Sequence, residues 1–235
     1  MKLLILGSGP SATAASNWPR APFDHILAIN NAWQIRADWD DLIFPYDFPE
    51  DRQPEDLQPS QRLIDQTHFV PAQNAFGGFV YGGATMAFTA TYWALHALKP
   101  EIIAYLGCDM VYPKTGPTHF YGQGTADPLR ADISLRSLEA KSARAQCYAA
   151  RQGCALVNLS TERSRLTFPR ATRSTLAGHF PGAVDPTLMA HAEIMEERLN
   201  YRTPTGFHDH IDADVTALDA IDALWLQAAR LSSAA

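Results

Sequence analysis

The fold is decided by the amino-terminal stretch Met1-Lys2-Leu3-Leu4-Ile5-Leu6-Gly7-Ser8-Gly9-Pro10-Ser11-Ala12. Its apolar run predicts a buried strand, and the glycines predict a tight turn that brings backbone N–H groups close to a phosphate at a helix start. The string also fits the loose dinucleotide pattern Gly-x-Gly-x-x-Ala. No acid closes the second predicted strand, however, and Pro19 and Pro22 shorten the first helix. A phosphate-facing loop for some nucleotide is therefore favoured over a nicotinamide or flavin site, with a plain tight turn as the alternative.

Apolar runs of the same kind recur along the chain and alternate with helical patterns. Strands are predicted at residues 2–6, 25–30, 41–44, 67–70, 101–106 and 155–159, and helices at 84–98, 133–152, 186–201 and about 211–225. Because a parallel return needs a crossover, the alternation predicts an α/β fold with one Rossmann-like, mostly parallel sheet flanked by helices. Residues 1–165 would form this nucleotide-binding domain. Residues 166–235 would form a basic loop and a helical C-terminal extension packed on it.

Composition narrows the class of protein. The 235 residues include 19 Lys+Arg and 25 Asp+Glu, for a net charge of −6, and 46% are hydrophobic. These values suit one sizeable core and exclude a disordered chain, a collagen-like fibre or a disulfide scaffold. The acidic balance argues against a nucleic acid polymer as partner. The cysteines Cys108, Cys147 and Cys154 are predicted to be free buried thiols in a cytoplasmic protein.

Residues 66–98 contain no Asp, Glu, Lys or Arg and are long enough to raise the question of a membrane span. Four glycines interrupt the stretch, at positions 77, 78, 82 and 83. We therefore predict no transmembrane segment, but a glycine-rich loop that leads into a buried helix. Residues 46–66, with three prolines, are predicted to be a solvated excursion.

Polar residues follow the predicted second and fifth strands, where ligands of parallel sheets bind. Asn30 and Asn31 could hydrogen-bond a phosphate, sugar or base, or could form an Asx turn. Asp109 ends the fifth strand, and the loop after it carries a histidine between aromatic residues. His119 could act as a general acid or base, with Tyr112 and Tyr121 as donors to a leaving phosphate, or it could be structural.

Five segments in this order carry a family resemblance: the Gly-Ser-Gly-Pro-Ser opening, Asn30-Asn31, Gly82-Gly83-Ala84-Thr85-Met86, Leu106-Gly107-Cys108-Asp109, and Asn158-Leu159-Ser160. Over residues 1–165 the chain resembles the bacterial small sialyltransferases that act on lipooligosaccharide. It also resembles the related motility accessory factor family, which includes hydroxymethylpterin diphosphokinases. The first resemblance implies a glycosyltransferase that uses CMP-sialic acid or a related nonulosonate, transfers it with inversion to a glycan or small hydroxyl acceptor, and requires no metal or cofactor.

The resemblance also implies roles for individual residues. Nucleotide binding falls to Gly7, Ser8, Gly9, Pro10, Ser11, Asn30, Asn31, Gly83, Thr85 and Asp109, and catalysis to His119, Tyr112 and Tyr121. The sialyltransferases have an arginine just before the segment that corresponds to Gly83, where this chain has Phe79-Val80-Tyr81.

Two other functions stay open. A diphosphokinase of the hydroxymethylpterin type would need Mg²⁺, held by Asp109 and acids of residues 46–56. A nucleotide-sugar-binding domain without activity would explain the missing arginine. The arginines at 163, 165, 170 and 173 could cover an anionic donor or form a solvated loop. No metal site is predicted at His208-Asp209-His210, since neighbouring side chains point apart. A homo-oligomer is possible.

Overall fold

Six parallel strands form one sheet in the computed structural model, which describes residues 1–113, 115–124, 130–203 and 211–229. The strands are β1 (Lys2–Leu6), β2 (His25–Ile29), β3 (Asp41–Ile43), β4 (Arg62–Ile64), β5 (Ile102–Leu106) and β6 (Ala155–Asn158). Their order across the sheet is β4-β3-β2-β1-β5-β6, and each neighbouring pair is parallel. The predicted Rossmann-like α/β sheet is confirmed.

The described residues form α1 (Gln66–Ala75), α2 (Phe79–Gly82), α3 (Met86–Ala97), α4 (Leu138–Arg151), α5 (Pro186–Leu199) and α6 (Val215–Ala229). Polar side chains cap several of these helices, as the sequence suggests: Asp185 accepts from the N–H groups of Thr187 and Leu188 at the start of α5. None of the helices in this part of the chain combines the length and the apolar character that crossing a membrane would require.

The two faces of the sheet carry different layers. Alternate strand residues, such as Leu3 and Ile5, belong to a core cluster that also contains residues of all six α-helices. The intervening residues, such as Leu4 and Leu6, pack against loops and short 3-10 helices. The 3-10 helices on that face are Pro10–Asn17, Asn30–Ile35 and Leu176–Gly178. The helix predicted after β1 is therefore a 3-10 helix, consistent with the prolines that shorten it.

The prediction of a strand at residues 67–70 is wrong. These residues lie in α1, and the fourth strand is formed earlier, by Arg62–Ile64. Asp65 begins the helix, since its side chain accepts a hydrogen bond from the Thr67 N–H at 3.0 Å. The excursion predicted at residues 46–66 thus ends in a strand of the sheet.

Helices α5 and α6 are joined to α4 by two buried ion pairs. Lys141 Nζ lies 2.8 Å from Asp222 Oδ1, and Arg144 Nη2 lies 2.6 Å from Glu196 Oε2. All four side chains are nearly inaccessible to solvent. Helix α4 therefore buries two cationic side chains, and the C-terminal helices α5 and α6 supply the carboxylates that neutralise them.

Candidate functional site

The order of the strands creates a crevice beside β1. The chain adds β2, β3 and β4 on one side of β1, and then returns to add β5 and β6 on the other. At such a reversal, ligands of open α/β sheets bind outside the carboxyl ends of the strands. A cavity of about 440 Å³ lies here, lined by residues 7–9 after β1 and by Gly107, Cys108 and Met110 after β5. Its size suits a small-molecule ligand.

The loops after β1 and β5 are held directly against each other. The Gly7 N–H donates to Leu106 O and the Gly9 N–H donates to Gly107 O, both at 2.8 Å. A Cβ atom at Gly7 would lie 2.4 Å from Gly107 O, which is closer than any real contact. Position 7 therefore has room only for glycine. The N–H groups of Gly7 and Gly9 already have acceptors within the protein. The Ser8 N–H, by contrast, has no acceptor in the described part of the chain.

Asn30 lines the cavity at the end of β2 and has a left-handed backbone, with φ 50°. Its Oδ1 atom is buried and has no hydrogen-bond partner among the described residues. A buried acceptor without a donor is costly, and a hydroxyl or amino group of a ligand would satisfy it. Asn31 is buried and does not line the cavity.

His119 and its flanking aromatic residues form the opposite wall. The His119 ring is stacked on Tyr121 at a centroid distance of 5.0 Å and lies 5.8 Å from the Tyr112 ring. The Thr118 hydroxyl lies 2.9 Å from His119 Nδ1 and fixes the ring orientation. A hydrogen bond of 3.0 Å from Phe120 N to Ser8 O joins this loop to the glycine loop. All three predicted catalytic residues therefore face one cavity, beside the predicted phosphate loop.

The floor of the cavity carries a threonine and, unexpectedly, an arginine. Thr85 caps α3 and lines the cavity. Arg130 also lines it and donates to Ala84 O at 3.3 Å and to Asp132 Oδ2 at 2.9 Å. Asp132, which also lines the cavity, caps the 3-10 helix Ile133–Leu135. A guanidinium thus lines the site from the segment just before the 3-10 helix Ile133–Leu135.

Five predicted ligand-binding residues do not line the cavity: Pro10, Ser11, Asn31, Gly83 and Asp109. Asp109 instead ties elements together, since its carboxylate accepts from Ser11 Oγ at 3.4 Å and from Asn158 Nδ2 at 3.1 Å. Gly83 has φ 86°, and a Cβ there would lie 2.9 Å from the Phe88 ring.

Sequence reasoning gave no site role to the polar lining residues Tyr46, Thr89, Arg130 and Asp132, and it named Asp47 only among the acids of residues 46–56 that would hold Mg²⁺. Tyr46 and Asp47 belong to the segment predicted to be a solvated excursion. The available signal was their position just after the third strand, at the edge where ligands bind. For Arg130 no spacing rule gave a signal.

The basic run after β6 does not cover this cavity. Arg165 pairs with Glu139 at 2.8 Å, Arg170 donates to Ser160 O and Glu162 O, and Arg173 lies over the Trp18 ring. A second, more open cavity of about 420 Å³ is lined by Arg163, Arg165 and Glu139, and it shares Met110 and Tyr112 with the first.

Within the described ranges, no three His, Cys, Asp or Glu side chains form a group that could hold a metal ion. Residues 208–210 lie outside the described residues. The three cysteines are free and buried. Burial raises the pKa of the Cys108 thiol, beside the cavity, far above its ordinary value, so this thiol is protonated and is a poor nucleophile.

The fold and the crevice define the class: an α/β protein with a Rossmann-like parallel sheet and a ligand-sized cavity at its topological switch point. Comparison of the chain with protein-family models gave no match. Comparisons with curated proteins and with solved structures also gave no significant match.

Proposed function

We propose that the protein is a glycosyltransferase that uses a nucleotide-activated sugar, with CMP-sialic acid or a related nonulosonate as the donor. The observation that carries this proposal is the set of groups lining one cavity: the glycine loop, Asn30, Thr85, and His119 with the two tyrosines beside it. The order of these groups along the chain matches the resemblance to the small sialyltransferases. The cytoplasm is the compartment we expect.

The chain's own residues suffice to assign each step of an inverting transfer. The acceptor hydroxyl oxygen forms a bond to the anomeric carbon while the bond from that carbon to the phosphate oxygen breaks. His119 takes the hydroxyl proton, and the electron pair of the broken bond leaves with the nucleotide phosphate. Hydrogen bonds from the Tyr112 and Tyr121 hydroxyls and from the Ser8 N–H stabilise the charge that develops on this phosphate.

Arg130 gives the cavity the positive charge that an acidic donor requires. A guanidinium binds phosphate or carboxylate with two parallel hydrogen bonds. Asp132 neutralises part of that charge at a distance of 2.9 Å, so the pair would orient an anionic group as well as attract it.

The test is hydrolysis or transfer of CMP-sialic acid by a His119→Ala variant. We expect CMP release to fall by about 100-fold or more, because general base catalysis is worth at least that much. CMP binding, measured by calorimetry, should be nearly unchanged. His96→Ala is the matched control, since His96 is exposed at the end of α3 and does not line the cavity. Full CMP release by His119→Ala would refute the assigned mechanism.

One observation favours diphosphate transfer from ATP as a second candidate function: two carboxylates, of Asp47 and Asp132, line the same cavity. They are the residues that would hold Mg²⁺, whose chemistry is to neutralise the transferred phosphates. Asp109, which the sequence suggested for this role, does not line the cavity. A thermal-shift panel separates the candidates, because stabilisation by ATP that requires Mg²⁺ favours the kinase and stabilisation by CMP without Mg²⁺ favours the transferase. Nucleotide binding without turnover would indicate a binding domain.

A further inference from the structure

We propose that the turn after β3 recognises the base of the nucleotide: Tyr46 stacks on the ring, and Asp47 selects a base with an exocyclic amino group over uracil. This inference rests on the proposed use of a nucleotide-linked donor. It adds residues, and a rule for choosing the nucleotide, that the resemblance does not supply.

The topology puts this turn where a base would lie. Along the carboxyl edge of the sheet, the glycine loop follows β1, Asn30 follows β2 and the turn follows β3, in that spatial order. Two strand spacings are about 10 Å, a length comparable with that of a nucleoside monophosphate. The His119 loop and β5 lie on the other side of β1. A nucleotide with its phosphate at Ser8 therefore points its ribose towards Asn30 and its base towards Tyr46 and Asp47, with the sugar on the His119 side.

The turn is anchored so that its two central side chains stay outside the core. Phe44 and Phe48 are both 8% exposed, and their rings lie 5.5 Å apart. The Phe48 N–H donates to Pro45 O at 3.0 Å and closes the turn. Tyr46 is 68% exposed even though it lines the cavity, and Asp47 beside it is also exposed. An aromatic ring held at a cavity mouth is a sequence-tolerant platform for stacking a base.

The negative charge of Asp47 is what would distinguish cytosine from uracil. A carboxylate can only accept hydrogen bonds, and the cytosine amino group is a donor. Uracil presents a carbonyl oxygen at the same position, so a carboxylate that approaches it loses a hydrogen bond and meets a second acceptor. A hydrogen bond to a charged group is worth about 1.5–3 kcal/mol, which corresponds to about ten-fold or more in affinity.

Calorimetric titration of CMP and UMP into the full chain tests this proposal, because the two nucleotides share phosphate, ribose and ring size. We expect CMP to bind at least ten-fold more tightly than UMP. Asp47→Asn should bring the two dissociation constants within about two-fold or reverse their order, since an amide can donate to the uracil oxygen as well as accept. Asp51→Asn is the matched control: Asp51 is an exposed acid nearby that does not line the cavity, and its substitution should leave the ratio unchanged.

The stacking role of Tyr46 has its own signature. Tyr46→Ala should weaken CMP and UMP binding by the same several-fold factor, and Tyr46→Phe should retain wild-type affinity because the ring face is kept. Equal binding of CMP and UMP by the wild type, or an unchanged ratio in Asp47→Asn, would overturn the base assignment while nucleotide binding itself stood. If neither nucleotide bound, the proposed function would fall, and the base assignment with it.

Discussion

Removal of one carboxylate, by Glu196→Ala, should destabilise the whole protein. Glu196 accepts two hydrogen bonds from Arg144, at 2.8 and 2.6 Å, and one from Trp225 Nε1 at 2.8 Å. Arg144 is fully buried and is also bonded to Tyr92 Oη at 2.8 Å. Burial lowers the pKa of Arg144, but the Glu196 carboxylate more than offsets this and raises it well above its ordinary value. An arginine guanidinium is not deprotonated in proteins, so Arg144 stays charged when Glu196 is removed.

The size of the effect follows from that uncompensated charge. Removing one partner of a buried ion pair costs about 3–5 kcal/mol. The Trp225 indole N–H also loses its acceptor, which puts the estimate towards the upper end. For a chain of this size each kcal/mol lowers Tm by about 2–4 °C. We therefore expect Tm to fall by about 6–20 °C.

Thermal and urea unfolding, followed by circular dichroism, measure this loss. The matched control is Glu197→Ala, one residue further along α5, where the side chain is exposed. It should change the unfolding free energy by less than about 0.5 kcal/mol. Replacing both partners, in Arg144→Met with Glu196→Leu, should recover much of the stability, because no buried charge is left unpaired. A Glu196→Ala protein within about 1 kcal/mol of the wild type would refute the reasoning.

Two further predictions concern the sheet. Gly7→Ala should lower the free energy of unfolding by several kcal/mol, because the added Cβ has no room against the loop after β5. Gly178→Ala is the control and should be nearly neutral, since nothing lies within 4 Å of its added Cβ. Urea unfolding of the two variants measures the difference. Asp41 is completely buried; burial raises its pKa, but hydrogen bonds from His25 and Arg62 outweigh this and lower it below the ordinary 3.8. The stability that this interaction contributes is present above about pH 4 and is lost as pH falls through the lowered pKa. Asp41→Asn should therefore show a shallower loss of stability than the wild type between pH 5 and pH 2, and parallel curves would contradict this assignment.

The sheet was largely readable from the sequence because its central strands are short apolar runs that end at turn residues. The error at residues 67–70 has a physical reason. Thr67, Phe69 and Val70 favour a strand, and Pro71 argues against a helix. Tertiary packing outweighed this preference, since Phe69 and Val70 are buried against the other helices and Asp65 caps the helix start.

The sequence predicted the residues of the candidate site only where they directly follow a strand. Asn30 follows β2 at once, so its place at the cavity could be inferred from strand polarity. Arg130 also lines the cavity, but it does not follow a strand, and no hydrophobic periodicity in the sequence indicates its position. Asp109 shows that position at a strand end is not sufficient. Its carboxylate accepts hydrogen bonds from Ser11 and Asn158, and so it connects parts of the protein and does not line the cavity.

The two sheet faces, one covered by α-helices and the other by loops and 3-10 helices, lead us to expect unequal stiffness on the two sides of the molecule. In the helical layer, α4, α5 and α6 are joined by buried ion pairs, and separating either pair would leave a buried charge at high cost. The opposite layer contains loops and 3-10 helices, whose hydrogen-bond geometry is poorer. Two of these helices, Pro10–Asn17 and Asn30–Ile35, begin at the glycine loop and at the asparagine that lines the cavity. The residues that line the cavity therefore lie where the two layers meet. We expect a bound molecule to be accommodated by small movements of the 3-10 layer, with the helical layer fixed.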